Sequence, residues 1–150
     1  MRVWRLCRAT YADDLTGTGA RRFGGRWNSP GLAVLDTASN AALAVLEVRV
    51  QLDLPPELVP EDYTMVTIDL AGLEVGACPD GLDATDANTA RVFGDAWLRA
   101  ASAPVLRVPS AIVTESNNLL LNPAHPDAAR ARVVDRRPFR FDPRLWLPLR

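Results

Sequence analysis

The sequence lacks lysine altogether and has only one histidine and two cysteines among its 150 residues. All seventeen basic residues are therefore arginines, which codon usage in a GC-rich genome explains as simply as selection for oxyanion binding does. The cysteines, Cys7 and Cys78, lie far apart and have no CxxC spacing, which argues against a zinc cluster and a disulfide framework. We therefore expect no metal site.

Long apolar runs are also missing, and the first residues do not form the hydrophobic segment of a signal peptide. We therefore expect a cytosolic protein with reduced thiols and no membrane contact. The net charge of −1 argues against a dedicated nucleic-acid binder, because affinity for the phosphate backbone grows with the number of cationic contacts. No GxGxxG motif or P-loop is present, so any nucleotide site must be built in another way.

Residues 21–31, RRFGGRWNSPG, contain two glycines directly before an arginine. Gly24 and Gly25 allow the backbone to approach an anion closely, because glycine takes positive φ freely and has no side chain. Arg26 adds a planar, permanently charged donor suited to a phosphate or ribose oxygen. This segment therefore predicts a binding site rather than a purely structural loop.

Residues 39–52 read SNAALAVLEVRVQL, which predicts a helix capped by Ser39 and apolar on nearly every side. Glu47 lies within this apolar helix. Burying an ionised carboxylate destabilises a protein by several kcal/mol, as an order of magnitude, unless a cation or hydrogen-bond donors contact it. Glu47 therefore has either a partner or a functional role, and the alternative is a place on a narrow solvated stripe with Arg49.

The remaining patterns predict an α+β fold in one domain, residues 1–150, without the βαβ repetition of a Rossmann fold. A second helix is expected over residues 86–101, with Ala90, Phe93, Trp97 and Leu98 on its inner face. Strands are expected over residues 3–9, 32–36, 64–70, 105–108, 111–113, 117–122 and 133–141.

Several of these motifs occur together in one known family. Residues 24–31, the helix with Glu47, residues 107–113 (RVPSAIV) and residues 122–126 (NPAHP) resemble the RES domain in the same order. The resemblance extends from Trp4 to Leu145. It implies a fold similar to the diphtheria-toxin-like ADP-ribosyltransferases and a toxin that consumes NAD. It also implies a hetero-oligomer with an Xre-type helix-turn-helix antitoxin.

The resemblance places the family's arginine, glutamate and serine at Arg26, Glu47 and Ser110, and NAD binding at Arg26, Ser110, Gly25, Asn28 and Asp36. Cleavage of the nicotinamide N-glycosidic bond passes through an oxocarbenium-like ribosyl cation, which a fixed carboxylate stabilises. Glu47 suits that role. Ser110 either holds the ribose or the nicotinamide amide, or only caps a turn.

Asp36 departs from the family pattern, since members commonly have a tyrosine ten residues after the arginine. In related folds that ring stacks on nicotinamide, and Tyr11 and Tyr63 are the candidates to replace it. Asp36 either lies beside Glu47, where repulsion between like charges raises one of the two pKa values, or points away at a strand end.

Three function classes follow: an NAD-cleaving toxin, a metal-dependent nuclease toxin using Asp36 and Glu47, and a binding module whose catalysis has decayed.

His125 is expected to order its loop as a hydrogen-bond donor, with general-base chemistry as the alternative. The apolar tail, residues 139–149, forms either a partner surface or part of the protein's own core. The arginines of residues 130–140 suggest an exposed edge strand or a partner surface, with a solvated face as the default interpretation.

Overall fold

The computed structural model describes residues 1–147. Seven strands and three α-helices follow one another along the chain, joined by turns and short 3₁₀ segments. In chain order they are β1 (Arg2–Arg8), α1 (Thr18–Phe23), β2 (Leu35–Ala38), α2 (Ala41–Arg49), β3 (Tyr63–Asp69), β4 (Val75–Ala77), α3 (Ala87–Ala100), β5 (Val105–Pro109), β6 (Asn117–Leu121) and β7 (Arg132–Pro138). The predicted α+β fold is confirmed.

The helix that contains Glu47 is shorter and less buried than its sequence predicts. Asn40, not Ser39, caps α2, because its side-chain oxygen accepts a hydrogen bond from the Leu43 amide at 2.8 Å. Only Leu43 and Ala44 of this helix are buried, so burial on every side was a wrong expectation. The more open face of α2 is free to border a cavity.

Helix α3 matches its prediction closely. Asp86 caps it, and the helix ends at Ala101, which adopts a left-handed conformation. Ala90, Trp97 and Leu98 are buried against the sheet, with Phe93 packed beside them. Trp97 is therefore a core residue.

The strands form one mixed sheet in the order β4-β5-β6-β2-β1-β3-β7. All neighbouring pairs are antiparallel except β4 with β5. β1 and β2 meet at a single residue pair, Trp4 opposite Ala38, whereas β1 and β3 pair along their whole length. The sheet therefore consists of two halves that touch narrowly at its centre.

The two faces of the sheet are used differently. In β5 and β6, Leu106, Val108 and Leu120 pack with the α3 side chains, while the alternate residues Val105 and Leu119 belong to a separate core. Helix α2 packs on the other half, around β1 and β3. The space between the α2 and α3 packing units lies over the narrow junction of the sheet.

Two predicted strands differ clearly from the structure, and one observed strand was not predicted. The strand expected at residues 32–36 lies at Leu35–Ala38, and β4 had no clear signal in three residues. Residues 111–113 form a turn instead of a strand, because the amides of Ile112 and Val113 donate to the Ser110 hydroxyl.

The described part of the C-terminal tail packs on its own core. Phe139 and Phe141 join the cluster around α2, and Arg49 stacks on Trp146 with 4.1 Å between guanidinium carbon and ring centroid. Residues 148 and 149 of the predicted apolar tail lie outside the described residues.

β7 is an edge strand with mostly exposed residues, as expected. No helix within residues 1–147 has the length and apolarity needed to cross a bilayer.

Candidate active site

A cavity of about 400 Å³ opens over the junction of the two sheet halves. Trp4 and Ala38, the residues that join β1 to β2, both border it. Glu47 lines it from α2, Arg26 and Gly25 from the loop after α1, and Asp36 from β2. Residues as far apart in the sequence as Trp4 and Glu47 thus share one space, which we call the main cavity.

Glu47 is held in place by two side chains. Its Oε1 accepts hydrogen bonds from the Ser110 hydroxyl and from the Asn118 side-chain amide, both at 2.7 Å. Two donors on one oxygen fix the orientation of the carboxylate. No hydrogen bond to the other oxygen, Oε2, occurs within residues 1–147. Glu47 therefore presents an oriented carboxylate to the main cavity.

Ser110 acts inside the protein rather than on the cavity surface. It is 0% exposed, donates its hydroxyl proton to Glu47, and accepts from the amides of Ile112 and Val113 at 3.1 and 3.2 Å. Its hydrogen-bonding capacity is thereby used up. Capping a turn and serving the site are therefore compatible, with Ser110 positioning Glu47.

Arg26 also lines the main cavity and is exposed. Its Nη1 donates to the backbone oxygens of Ala84 and Thr85 at 3.2 and 3.3 Å. These contacts anchor one edge of the guanidinium to the segment before α3. The remaining donors are available to an anionic ligand.

The loop that contains Arg26 is docked directly on α3. The backbone amide and hydroxyl of Ser29 donate to the buried carboxylate of Asp95 at 2.7 and 2.5 Å. Gly94 lets the helix approach the Trp27 backbone, since a Cβ on Gly94 would lie 1.8 Å from the Trp27 oxygen. The position of Arg26 therefore depends on two α3 residues.

Asn28 lies inside this loop and not on the cavity wall. It is 1% exposed, and its Nδ2 donates to the backbone oxygens of Ala20 and Leu32 at 2.8 and 2.9 Å. A Cβ on Gly25 would lie 3.0 Å from its Oδ1. The Asn28 side chain thus holds the loop together and does not line the main cavity.

Asp36 faces the main cavity together with Glu47, so the alternative in which it points away does not apply. Its side chain is open to the cavity yet surrounded by protein on its other sides. The pKa of Asp36 is raised to about 6, mainly by desolvation and further by the Glu47 carboxylate, while the Arg5 guanidinium acts in the opposite direction. The direction agrees with the predicted rise in one carboxyl pKa, but desolvation contributes more to it than the predicted repulsion by Glu47.

Neither of the two tyrosines expected to replace the family's tyrosine lines the main cavity. Tyr63 packs against Phe141 away from the main cavity, with ring centroids 5.2 Å apart. Tyr11 borders a neighbouring cavity. Phe23, at the end of α1, lines the main cavity and is 77% exposed, so its ring is accessible to a planar ligand.

Sequence reasoning missed Asn118 and Phe23. Asn118 was visible only as a polar residue at the start of a strand, and Phe23 as a neighbour of the glycine pair.

His125 lies away from the main cavity, and its Nδ1 accepts a hydrogen bond from the Asp127 amide at 3.0 Å. It orders its loop as an acceptor, so the expected donor role was wrong. Across residues 1–147, no three His, Cys, Asp or Glu side chains gather as a metal site requires.

A single α+β domain in which Glu47 and Arg26 line one cavity agrees with the fold expected from the sequence resemblance. The RES domain family model matches residues 2–142. The chain belongs to the RES domain family.

Curated relatives agree with this assignment. The Prs ADP-ribosylating toxin of a Sphingobium species is 41% identical over 154 residues, covering 95% of this chain and 94% of the relative. Toxin Res of Pseudomonas putida is 37% identical over 137 residues, covering 89% and 92%.

A solved structure has the same fold. The crystal structure of the Mycobacterium tuberculosis MbcT-MbcA toxin-antitoxin complex matches with a TM-score of 0.72 and 22% identity, covering 93% of this chain and 84% of that one. MbcT is described as an NAD(+) phosphorylase, and its sequence is 32% identical over 94 residues, 58% of this chain and 50% of MbcT.

Proposed function

We propose that this protein is a toxin that cleaves NAD between nicotinamide and ribose. The observation that carries the proposal is the Glu47 carboxylate, fixed by Ser110 and Asn118 in a cavity that it shares with Arg26. Relatives described as an ADP-ribosylating toxin and an NAD(+) phosphorylase support NAD as the substrate. NAD is consumed here as substrate, and we propose no metal requirement.

The residues divide the chemistry between them. Glu47 stabilises the positive charge that develops on the ribose as nicotinamide departs, and it accepts a hydrogen bond from a ribose hydroxyl. Arg26 binds a phosphate or ribose oxygen, and the Gly25 backbone allows close approach. Ser110 and Asn118 hold Glu47 so that no reorganisation is needed during the reaction.

Incubation of the purified protein with NAD tests this function directly. We expect release of free nicotinamide at the same rate with and without EDTA, measured by chromatography. Cleaved RNA with intact NAD, and loss of that cleavage in EDTA, would instead support the nuclease alternative. Inertness toward both substrates would support the decayed binding module.

We also propose that a cognate Xre-type antitoxin binds this toxin in the cytoplasm and forms a hetero-oligomer that closes the main cavity. The toxin-antitoxin complex of the structural neighbour supports a partner of this general kind. Co-expression with the neighbouring reading frame should restore growth and yield a copurifying complex that no longer releases nicotinamide. Growth arrest that persists despite co-expression, with no copurification, would contradict the pairing.

A further inference from the structure

A second cavity of about 280 Å³ adjoins the main cavity along α1. Its wall includes Arg5, Tyr11, Asp14 and Arg22. Neither Glu47 nor Arg26 borders it. This second cavity therefore offers a separate approach to the same region of the molecule.

Four residues border both cavities: Gly19, Ala20, Phe23 and Asp36. Of these, only Asp36 has a side chain that can take up a proton. Asp36 thus lies where a molecule in the second cavity would meet a ribosyl group held beside Glu47. A proton acceptor at the boundary of two cavities suits a reaction between two substrates.

Resting on the proposed NAD cleavage, we propose that Asp36 is the general base of the second half of the reaction and that the acceptor arrives through the second cavity. An acceptor X–H attacks the ribose carbon that nicotinamide has left, forming the C–X bond. The X–H proton passes to an Asp36 carboxylate oxygen and then to water. The products are nicotinamide, ADP-ribosyl-X and one proton, so atoms and charge balance.

The charges around the second cavity point to the class of acceptor. Arg5 and Arg22 are balanced by Asp14 and Asp36, so the wall is not a cationic anion site. Arg5 also spends its Nη1 on the backbone oxygens of Tyr11 and Asp14 at 3.0 and 3.2 Å. An ionised Asp36 repels phosphate, whereas a neutral acceptor needs a base to remove its proton. The acceptor is therefore a proton-bearing neutral nucleophile, such as a hydroxyl group.

The titration of Asp36 fits this role. Its pKa of about 6 leaves it ionised, and therefore able to accept a proton, at neutral pH. The charged and titratable groups that face it are Glu47 on α2, Arg5 on β1, Arg22 on α1, Arg26, Asp14 and Tyr11. Activity should accordingly rise as the pH increases through about 6.

The test compares wild type, Asp36→Asn and Glu47→Gln in NAD hydrolysis, with water as the acceptor. Because the ribosyl cation recombines with nicotinamide unless an acceptor captures it, net turnover depends on the base. We expect Asp36→Asn to lower kcat by about 10²-fold and to lose the rise near pH 6, with KM for NAD nearly unchanged. Azide, an anion that needs no deprotonation, should restore nicotinamide release in Asp36→Asn and form ADP-ribosyl azide, but should not rescue Glu47→Gln.

Wild-type kcat and pH profile in Asp36→Asn, or a loss that azide does not rescue, would overturn the base assignment. If inorganic phosphate diverts the wild-type product from ADP-ribose to its phosphate ester, the acceptor class is wrong. If wild type releases no nicotinamide at all, the proposed function fails instead, so the two failures are distinguishable.

The route is tested separately. Thr18 borders only the second cavity, and Thr18→Trp should lower kcat severalfold while leaving KM for NAD unchanged. Thr10→Trp places the same exposed replacement where neither cavity is lined, and it should behave like wild type. Equal kcat values for the two variants would exclude this route.

Discussion

Glu47→Gln should lower nicotinamide release by about 10²- to 10³-fold, the range found when one preorganised electrostatic group is removed from an active site. The glutamine side chain keeps the size of glutamate and removes its charge. Its oxygen still accepts the hydrogen bonds from Ser110 and Asn118 that Glu47 Oε1 receives. The developing ribosyl cation then lacks its counter-charge, so kcat should fall much more than NAD affinity.

Stability separates loss of chemistry from loss of fold. Because both hydrogen bonds are retained, we expect the melting temperature of Glu47→Gln to stay within a few degrees of wild type. Glu57→Gln is the matched control, since it makes the same change on an exposed residue outside the main cavity. Undiminished nicotinamide release in Glu47→Gln would remove the central residue from the proposed mechanism.

The elements predicted best from the sequence are those with strong local signals. β1, β3 and α3 lie within a residue or two of their expected positions, because periodicity and capping act over neighbouring residues. Residues 111–113 were assigned wrongly because their amides serve a single hydroxyl, Ser110. That contact competes with strand pairing and leaves no trace in the hydrophobic pattern.

The sequence indicated those parts of the site in which a residue is unfavourable without a partner or in which the backbone is unusually open. An acid in an apolar helix indicated that Glu47 needs a partner, and two glycines before Arg26 indicated a binding loop. The partner Asn118 was not predictable, since it comes from a strand 71 positions away, brought near only by the pairing of β2 with β6. The orientation of Asp36 likewise depends on where the sheet divides, which no local pattern indicates.

Gly94→Ala should strongly destabilise the protein, because it adds a methyl group where α3 packs against the loop that contains Arg26. The new Cβ would lie 1.8 Å from the Trp27 oxygen, and the obstacle is backbone rather than a flexible side chain. Either α3 or the Arg26 loop must therefore move. We expect a loss of about 3 kcal/mol in the free energy of unfolding, at the upper end of overpacking effects. In a domain of this size, that lowers the melting temperature by roughly 6–12 °C.

Gly19→Ala is the matched control, because Gly19 also lies in a helix but has no atom within 4 Å of an added Cβ. Gly19→Ala should leave the free energy of unfolding unchanged or raise it slightly, since alanine has a higher helix propensity than glycine. In the surviving folded fraction of Gly94→Ala, KM for NAD should rise, because the displaced loop no longer presents Arg26 to the main cavity. Equal melting temperatures for the two variants would mean that contact between α3 and Trp27 does not hold the Arg26 loop in place.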